Sequence, residues 1–119
     1  MLIQYKKDFE KTAMGLLSYL PDFKNIDNLT EEIKLNEKDN NFVLYLFRNN
    51  EGNIVGVIGT EEENNFIIVR YISLAPGFRE QKYEKKVINN LQDNNPNMTI
   101  SALPEYTYLL KLLKNNENK

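Results

Sequence analysis

No cysteine and no histidine occur among the 119 residues, so thiolate nucleophiles, thiolate metal sites and the commonest general base are excluded. Proton transfer in this chain falls to carboxylate, tyrosine, lysine, backbone or water. The stretch best suited to chemistry is 69–91, VRYISLAPGFREQKYEKKVINNL. An apolar run over 67–74 meets the break Ala75-Pro76-Gly77, and Tyr83, Val87, Ile88 and Leu91 then recur at helical spacing. A strand that runs through a turn into a helix points several backbone N–H groups at one spot, which suits a pyrophosphate. Lys82 brings an ammonium within reach of such an anion, whereas Glu84 sets a carboxylate beside it. Two unit charges ~4 Å apart at an effective dielectric of ~20 repel by about 4 kcal/mol. That is roughly a thousandfold in affinity, unless Glu84 turns to solvent or pairs with Lys85. Read without a ligand, the same residues are the solvated start of an amphipathic helix.

The elements that must hold this turn follow from the pattern of apolar residues. Residues 1–5 predict a short strand. From Asp8, read as an N-cap, Phe9, Ala13, Leu16, Leu17 and Leu20 form one stripe of a helix that Pro21 ends. A second helix is expected from Asn28, with Glu31 in a capping arrangement, Glu32 favoured by the dipole, and Leu29 and Ile33 facing inward. Residues 42–48 and 54–60 are rich in aromatic and β-branched side chains and are joined by a Gly-containing loop, as in a hairpin. After a polar turn at 61–65, residues 66–74 make a third consecutive antiparallel strand. A helix over about 79–93 then leads to a short strand at 98–102. A strand–helix–strand unit of this length favours a parallel pair with a right-handed crossover. Pro104 opens a last helix that buries Tyr106, Leu109, Leu110 and Leu113, and 115–119 is a polar tail expected to fray.

Composition sets the outer limits. A chain of this length makes one domain, 1–119, and 41% apolar residues with 13 aromatics supply its core. A net charge of −2 and only three arginines argue against nucleic acid as a partner. No apolar run approaches the ~20 residues that span a bilayer, and the opening MLIQYKK has no signal-peptide core, so the cytoplasm is the expected compartment. Asparagine, at 18 residues, is unusually frequent and carries no function here. No metal, nucleotide-loop or serine-hydrolase motif is visible.

The turn resembles motif A of the GNAT N-acetyltransferases, written roughly L-x-V-x-P-x-x-R-x-x-G-x-G. Leu74, Pro76 and Arg79 stand where the motif wants them, and Lys82 and Glu84 occupy its two glycine positions. The order β-α-α-β-β-β-α-β-α is also that of the family up to its fourth helix, where most members continue into further strands. More narrowly, the opening YKKDFEKTAMGLLSYLP is similar to a small acetyltransferase-like protein of Gram-positive riboflavin-biosynthesis operons.

The resemblance implies an α/β fold with a mixed central sheet flanked by helices, shortened at the C-terminus. It implies acetyl-CoA as acyl donor, held by Ile72, Leu74, Arg79, Gln81, Lys82, Tyr83, Glu84 and Lys85. In the family a carboxylate on the fourth strand often helps deprotonate the amine. Here 66–74 has none, and Arg70 and Tyr71 lie there instead. A tyrosine on the last helix often protonates the leaving thiolate. The matching position is Leu110, so Tyr106 and Tyr108, four and two residues earlier, become the candidates. Asp22, Asp27, Glu31 and Glu32 fall where the family binds its acceptor, although carboxylates at helix ends also serve as caps. The partners to expect are a small-molecule or peptide amine and, in a homodimer, a second copy of the chain. The rival readings are a GNAT-like module that binds without turnover, linked to riboflavin metabolism, and an unrelated small α/β interaction domain.

Overall fold

In the computed structural model, which describes residues 1–114, five strands form one sheet in the order β1-β2-β3-β4-β5. They are β1 (Leu2–Gln4), β2 (Phe42–Arg48), β3 (Ile54–Glu63), β4 (Phe66–Leu74) and β5 (Thr99–Ala102). The first four are antiparallel neighbours and β5 runs parallel to β4, as the crossover length requires. Helix α3 (Gln81–Asn94) makes that crossover. It packs with the C-terminal segment on one face of the sheet, around Ile67, Val69, Ile88, Leu91 and Leu109. Helices α1 (Glu10–Leu17) and α2 (Ile26–Lys38) cover the other face, around Leu17, Leu29, Leu44 and Val57. The mixed sheet flanked by helices is the architecture the resemblance implies, and its strand–helix–strand crossover is the one the residue pattern predicts.

Several local expectations are corrected. Asp8 is not an N-cap: residues 7–9 form a 3-10 turn, Phe9 precedes α1, and no side chain caps it. Helix α2 starts at Ile26, two residues early, because the Asn25 side chain accepts hydrogen bonds from the amides of Asp27 and Asn28. The β3–β4 hairpin is longer than its polar residues suggest. Strand β3 continues through Glu63, and the turn shrinks to Asn64 and Asn65, with Asn64 in the left-handed region at φ 55°. The last helix is a 3-10 segment over Pro104–Leu112, tighter than the α-helix expected, with Leu109 as its buried anchor. The fraying expected of 115–119 lies outside the described residues.

One irregularity organises the site. Tyr71 pairs with Gly59 and Val69 with Thr60, so Arg70 is an extra residue in β4, a bulge. Before it, Ile67 and Val69 face α3; after it, Ile72 and Leu74 do. Arg70 and Tyr71 consequently both turn toward α2, where the Arg70 guanidinium makes a bidentate pair with Glu32 at 2.7 and 3.0 Å and the Tyr71 hydroxyl donates to Glu32 at 2.5 Å. Gly59 is required opposite, since a β-carbon there would overlap the Tyr71 ring.

Candidate functional site

Strands β4 and β5 pair only from Phe66 with Thr99 to Val69 with Ala102. One last bond, from the Leu103 amide to the Val69 carbonyl, closes the ladder at 2.9 Å. Beyond it β5 no longer pairs, and β4 continues for five residues, Arg70 to Leu74, beside β3 alone. The Ala75 amide donates to Val55 of β3, so by the alternation of an antiparallel strand the polar edges of Ile72 and Leu74 face away from β3, into the gap. The Leu74 carbonyl is taken there by Arg79 Nε at 2.8 Å. The two strands thus part at the bulge.

The turn that follows is built by its residue types. The Phe78 amide donates to the Ala75 carbonyl at 3.0 Å, with Pro76 and Gly77 between them. Gly77 has φ 90°, a conformation that only glycine adopts without strain. The chain then enters α3 from Glu80, which is extended and whose side chain accepts none of the first-turn amides. The amides of Gln81 and Lys82 therefore open α3 uncapped, with the positive end of the helix dipole behind them.

A cavity of about 460 Å³ occupies the gap, lined by Ile72 and Leu74 from β4, Arg79 from the turn, Glu84 from α3 and Tyr108 from the C-terminal segment. These five expected site residues are brought together. Arg79 lies over the Tyr19 ring at 4.9 Å, and Tyr19, Leu20 and Lys24 complete the wall. The Glu84 carboxylate accepts the Tyr108 hydroxyl at 2.6 Å, a bond that orients it but leaves its negative charge in place. Burial, then the bond to Glu84 and its charge, hold the Tyr108 phenol well above its usual range.

The other expected site residues lie elsewhere. Tyr83 turns to the opposite flank of α3, against Phe78. Gln81, Lys82 and Lys85 are exposed on the first turns, and Lys82 lies 3.9 Å from Glu80. Tyr106 lines a second cavity of about 230 Å³ with Asp22, Glu105, Arg70 and Tyr71. Burial, then the charges of Glu105 and Asp22, raise its phenol pKa. Leu20 borders both cavities, and the β4 residues that line them follow one another along the strand at the bulge.

Sequence reasoning missed Tyr19, Lys24 and Ser73 in the cavity wall, and it missed the meeting of Glu32 with β4. No short-range pattern signals a bond between residues 38 or 39 apart. Glu32 brings a carboxylate to β4, which has none of its own, yet burial is outweighed by its bonds to Arg70, Tyr71 and Asn36, which hold its carboxyl below the usual range. A carboxylate so paired is a weak base. Its work is to bind α2 to β4.

Among the described residues no cluster of acidic side chains has the geometry of a metal site, and no helix is long and apolar enough to cross a membrane. No family model matches the chain. It is 38% identical over 97 residues to an uncharacterised N-acetyltransferase in the lysA 3′ region of Bacillus methanolicus, which covers 81% of this chain and 80% of the relative. Among solved structures it is similar to the spermidine N-acetyltransferase of Vibrio cholerae in complex with CoA and spermine, with TM-score 0.61, 17% identity and 80% of this chain covered. The chain spans 62% of that enzyme. It is also similar to the aminoglycoside N-acetyltransferase AAC(6′)-Iy in complex with CoA, with TM-score 0.70, 17% identity, and coverage of 94% of this chain and 82% of that one. On the identity to the Bacillus relative, and with the fold of solved acetyltransferases, this chain belongs to the GNAT N-acetyltransferases, a family of transferase enzymes.

Proposed function

We propose that the chain transfers an acetyl group from acetyl-CoA to a primary amine, with the pantetheine arm in the gap beside Ile72 and Leu74. The observation that carries this reading is the end of β4 that β5 leaves uncovered, whose free edge borders a 460 Å³ cavity lined also by Arg79 and Glu84, on either side of the uncapped start of α3. The amide of Ile72 is placed to polarise the thioester carbonyl, and the amides of Gln81 and Lys82 with Arg79 to hold the pyrophosphate. The amine enters through the smaller cavity, where Asp22 and Glu105 favour a cation. One proton first leaves the ammonium to water, the freed nitrogen attacks the carbonyl carbon, the C–S bond breaks as the tetrahedral adduct collapses, the nitrogen gives its second proton to water, and the thiolate takes a proton. Tyr108 is the candidate donor for that proton because it lines the donor cavity, whereas Tyr106 lines the acceptor side. The solved neighbours support the substrate classes: one holds CoA and spermine, another a CoA-linked aminoglycoside analogue.

Saturation with acetyl-CoA at ~100 times its dissociation constant should stabilise the fold by about 2.7 kcal/mol, read as a rise in Tm. Thiol release with a panel of amines then tests turnover. Tyr108→Phe should lower kcat by ~10²–10⁴ with little change in KM, and Tyr106→Phe should keep kcat. Equal rates for both variants and the native chain would leave the thiolate to solvent.

A second reading is favoured by the Glu84–Tyr108 bond, which spans the donor cavity, and by the absence of glycine at 82 and 84. In it the chain binds CoA without turnover, as a regulatory module; the likeness of its opening to the riboflavin-operon protein gives that module a setting in riboflavin metabolism. Acetyl-CoA binding with no thiol release from any amine would establish it. A cytoplasmic homodimer is part of both readings, and sedimentation of the full chain decides the oligomeric state.

A further inference from the structure

On the flank of α3 away from the donor cavity lies a second large cavity, of about 400 Å³, that the transfer chemistry does not use. Arg48 from the end of β2 and Lys86 from α3 line it, with Phe47, Phe78 and Tyr83 as apolar walls and the Glu51 carboxylate also in its lining. Arg48 Nε is fully buried and has no hydrogen-bond partner. Among the described residues neither Arg48 nor Lys86 forms an ion pair. Positive groups thus converge on one space with a single carboxylate among them, an arrangement that a bound anion would relieve. Phe78 and Tyr83 meet edge to face, with centroids 5.2 Å apart, and form an aromatic corner beside those charges. A planar base stacks against such a corner, and a guanidinium grips a phosphate in two bonds.

We propose that this cavity binds a phosphomonoester attached to a flat base, with Arg48 and Lys86 on the phosphate and Tyr83 and Phe78 on the base. Its volume falls in the range of small-ligand sites, about 300–1,000 Å³. Two sources share that chemistry: the adenosine 3′-phosphate end of CoA, and a separate nucleotide. Phe78 and Tyr83 line this cavity while their neighbours Arg79 and Glu84 line the donor cavity, so a single turn serves both. The first source rests on the donor reading above; the second does not.

The test is calorimetric binding of adenosine 3′,5′-bisphosphate to the full chain, with adenosine as the phosphate-free control. Binding that is absent with adenosine and falls about tenfold or more in Lys86→Gln and in Arg48→Gln supports the site. Lys86 is exposed, so its variant keeps the test valid if Arg48→Gln does not fold. Acetyl-CoA and acetyl-dephospho-CoA then separate the sources. Displacement of the bisphosphate by acetyl-CoA, with about tenfold weaker binding of the dephospho form, assigns the site to the cofactor's own end. Simultaneous binding of acetyl-CoA and the bisphosphate assigns it to a separate nucleotide. If the bisphosphate does not bind, or binds equally to native chain and Lys86→Gln, the inference is overturned. Failure of the donor reading looks different, because acetyl-CoA itself would then not bind.

Discussion

Helices α2 and α3 begin in opposite ways. At α2 the Asn25 side chain takes the amides of Asp27 and Asn28, and further along Glu32 locks the helix to β4 through Arg70 and Tyr71. At α3 the residue before the helix is Glu80, extended and without a side-chain bond to the first turn, and Arg79 and Glu84 on either side of that start line a cavity. Each helix presents four N–H groups that need partners. One has satisfied its end with its own side chain and so contributes stability; the other keeps its end open and so can receive an anion. The same backbone physics yields a structural element or a binding element, depending on whether the neighbouring residue supplies an acceptor.

Removing the anchor of α2 should have the largest effect. Glu32→Ala leaves the Tyr71 hydroxyl buried and the Arg70 guanidinium partly buried without their partner; loss of one member of a fully buried pair costs ~3–5 kcal/mol, and the partial exposure of Arg70 sets the expected loss at or below the lower end of that range. Denaturant unfolding measures it, and the difference between α2 and α3 predicts that the Tm rise given by acetyl-CoA survives in the variant. The same pair sets a pH dependence. Because the Glu32 carboxyl is held below its usual value, its stabilisation is present above the unfolded pKa and is lost as pH falls through the folded one. Glu32→Gln should flatten that acid limb. At high pH the sign reverses: burial, then the charge of Glu32, raise the Tyr71 phenol well above 10, so stability is lost as pH rises past the unfolded value.

Removing the cap should do less. Asn25→Ala frees two amides at an exposed helix start and should cost about 1 kcal/mol, with no change in the KM for acetyl-CoA. The smallest change sharpens the comparison most. Glu80→Asn gives α3 the cap it lacks, which should stabilise the fold by less than about 1 kcal/mol and weaken acetyl-CoA, since the new side chain competes for the same amides. Greater stability with unchanged acetyl-CoA affinity would mean that the start of α3 does not hold the pyrophosphate.

The sequence carried these regions unequally. The strand–turn–helix at 66–94 was legible because each signal there is local: β-branched residues, then Pro76-Gly77, then an apolar stripe ending at Leu91. The start of α2 was misplaced because Asn25 and Asn28 both have cap chemistry, and only the packing of Leu29 and Ile33 decides between them. Cavity residues of the motif, Arg79 and Glu84, were legible by spacing. The partnership of Glu84 with Tyr108 was not, since it joins elements 24 residues apart. Tyr71 was read as a mere absence of carboxylate. Its role depends on Gly59 across the sheet making room for the ring, and no one-strand pattern carries that information.

The extra residue at Arg70 has a consequence for how this strand tolerates change. A strand alternates its faces with a period of two, and one added residue shifts the phase of everything after it. Two devices depend on that phase: the paired grip of Arg70 and Tyr71 on α2, and the outward edge of Ile72 and Leu74. Substitutions can alter either alone. Removing Ile72 or Ser73 closes the bulge by shifting Arg70 and Tyr71 one place, which turns Tyr71 away from α2 and disturbs the free edge together, whereas removing Arg70 itself leaves Tyr71 opposite Gly59. Strand length, counted to the residue, is thus a heritable part of the site in the same sense as its chemistry.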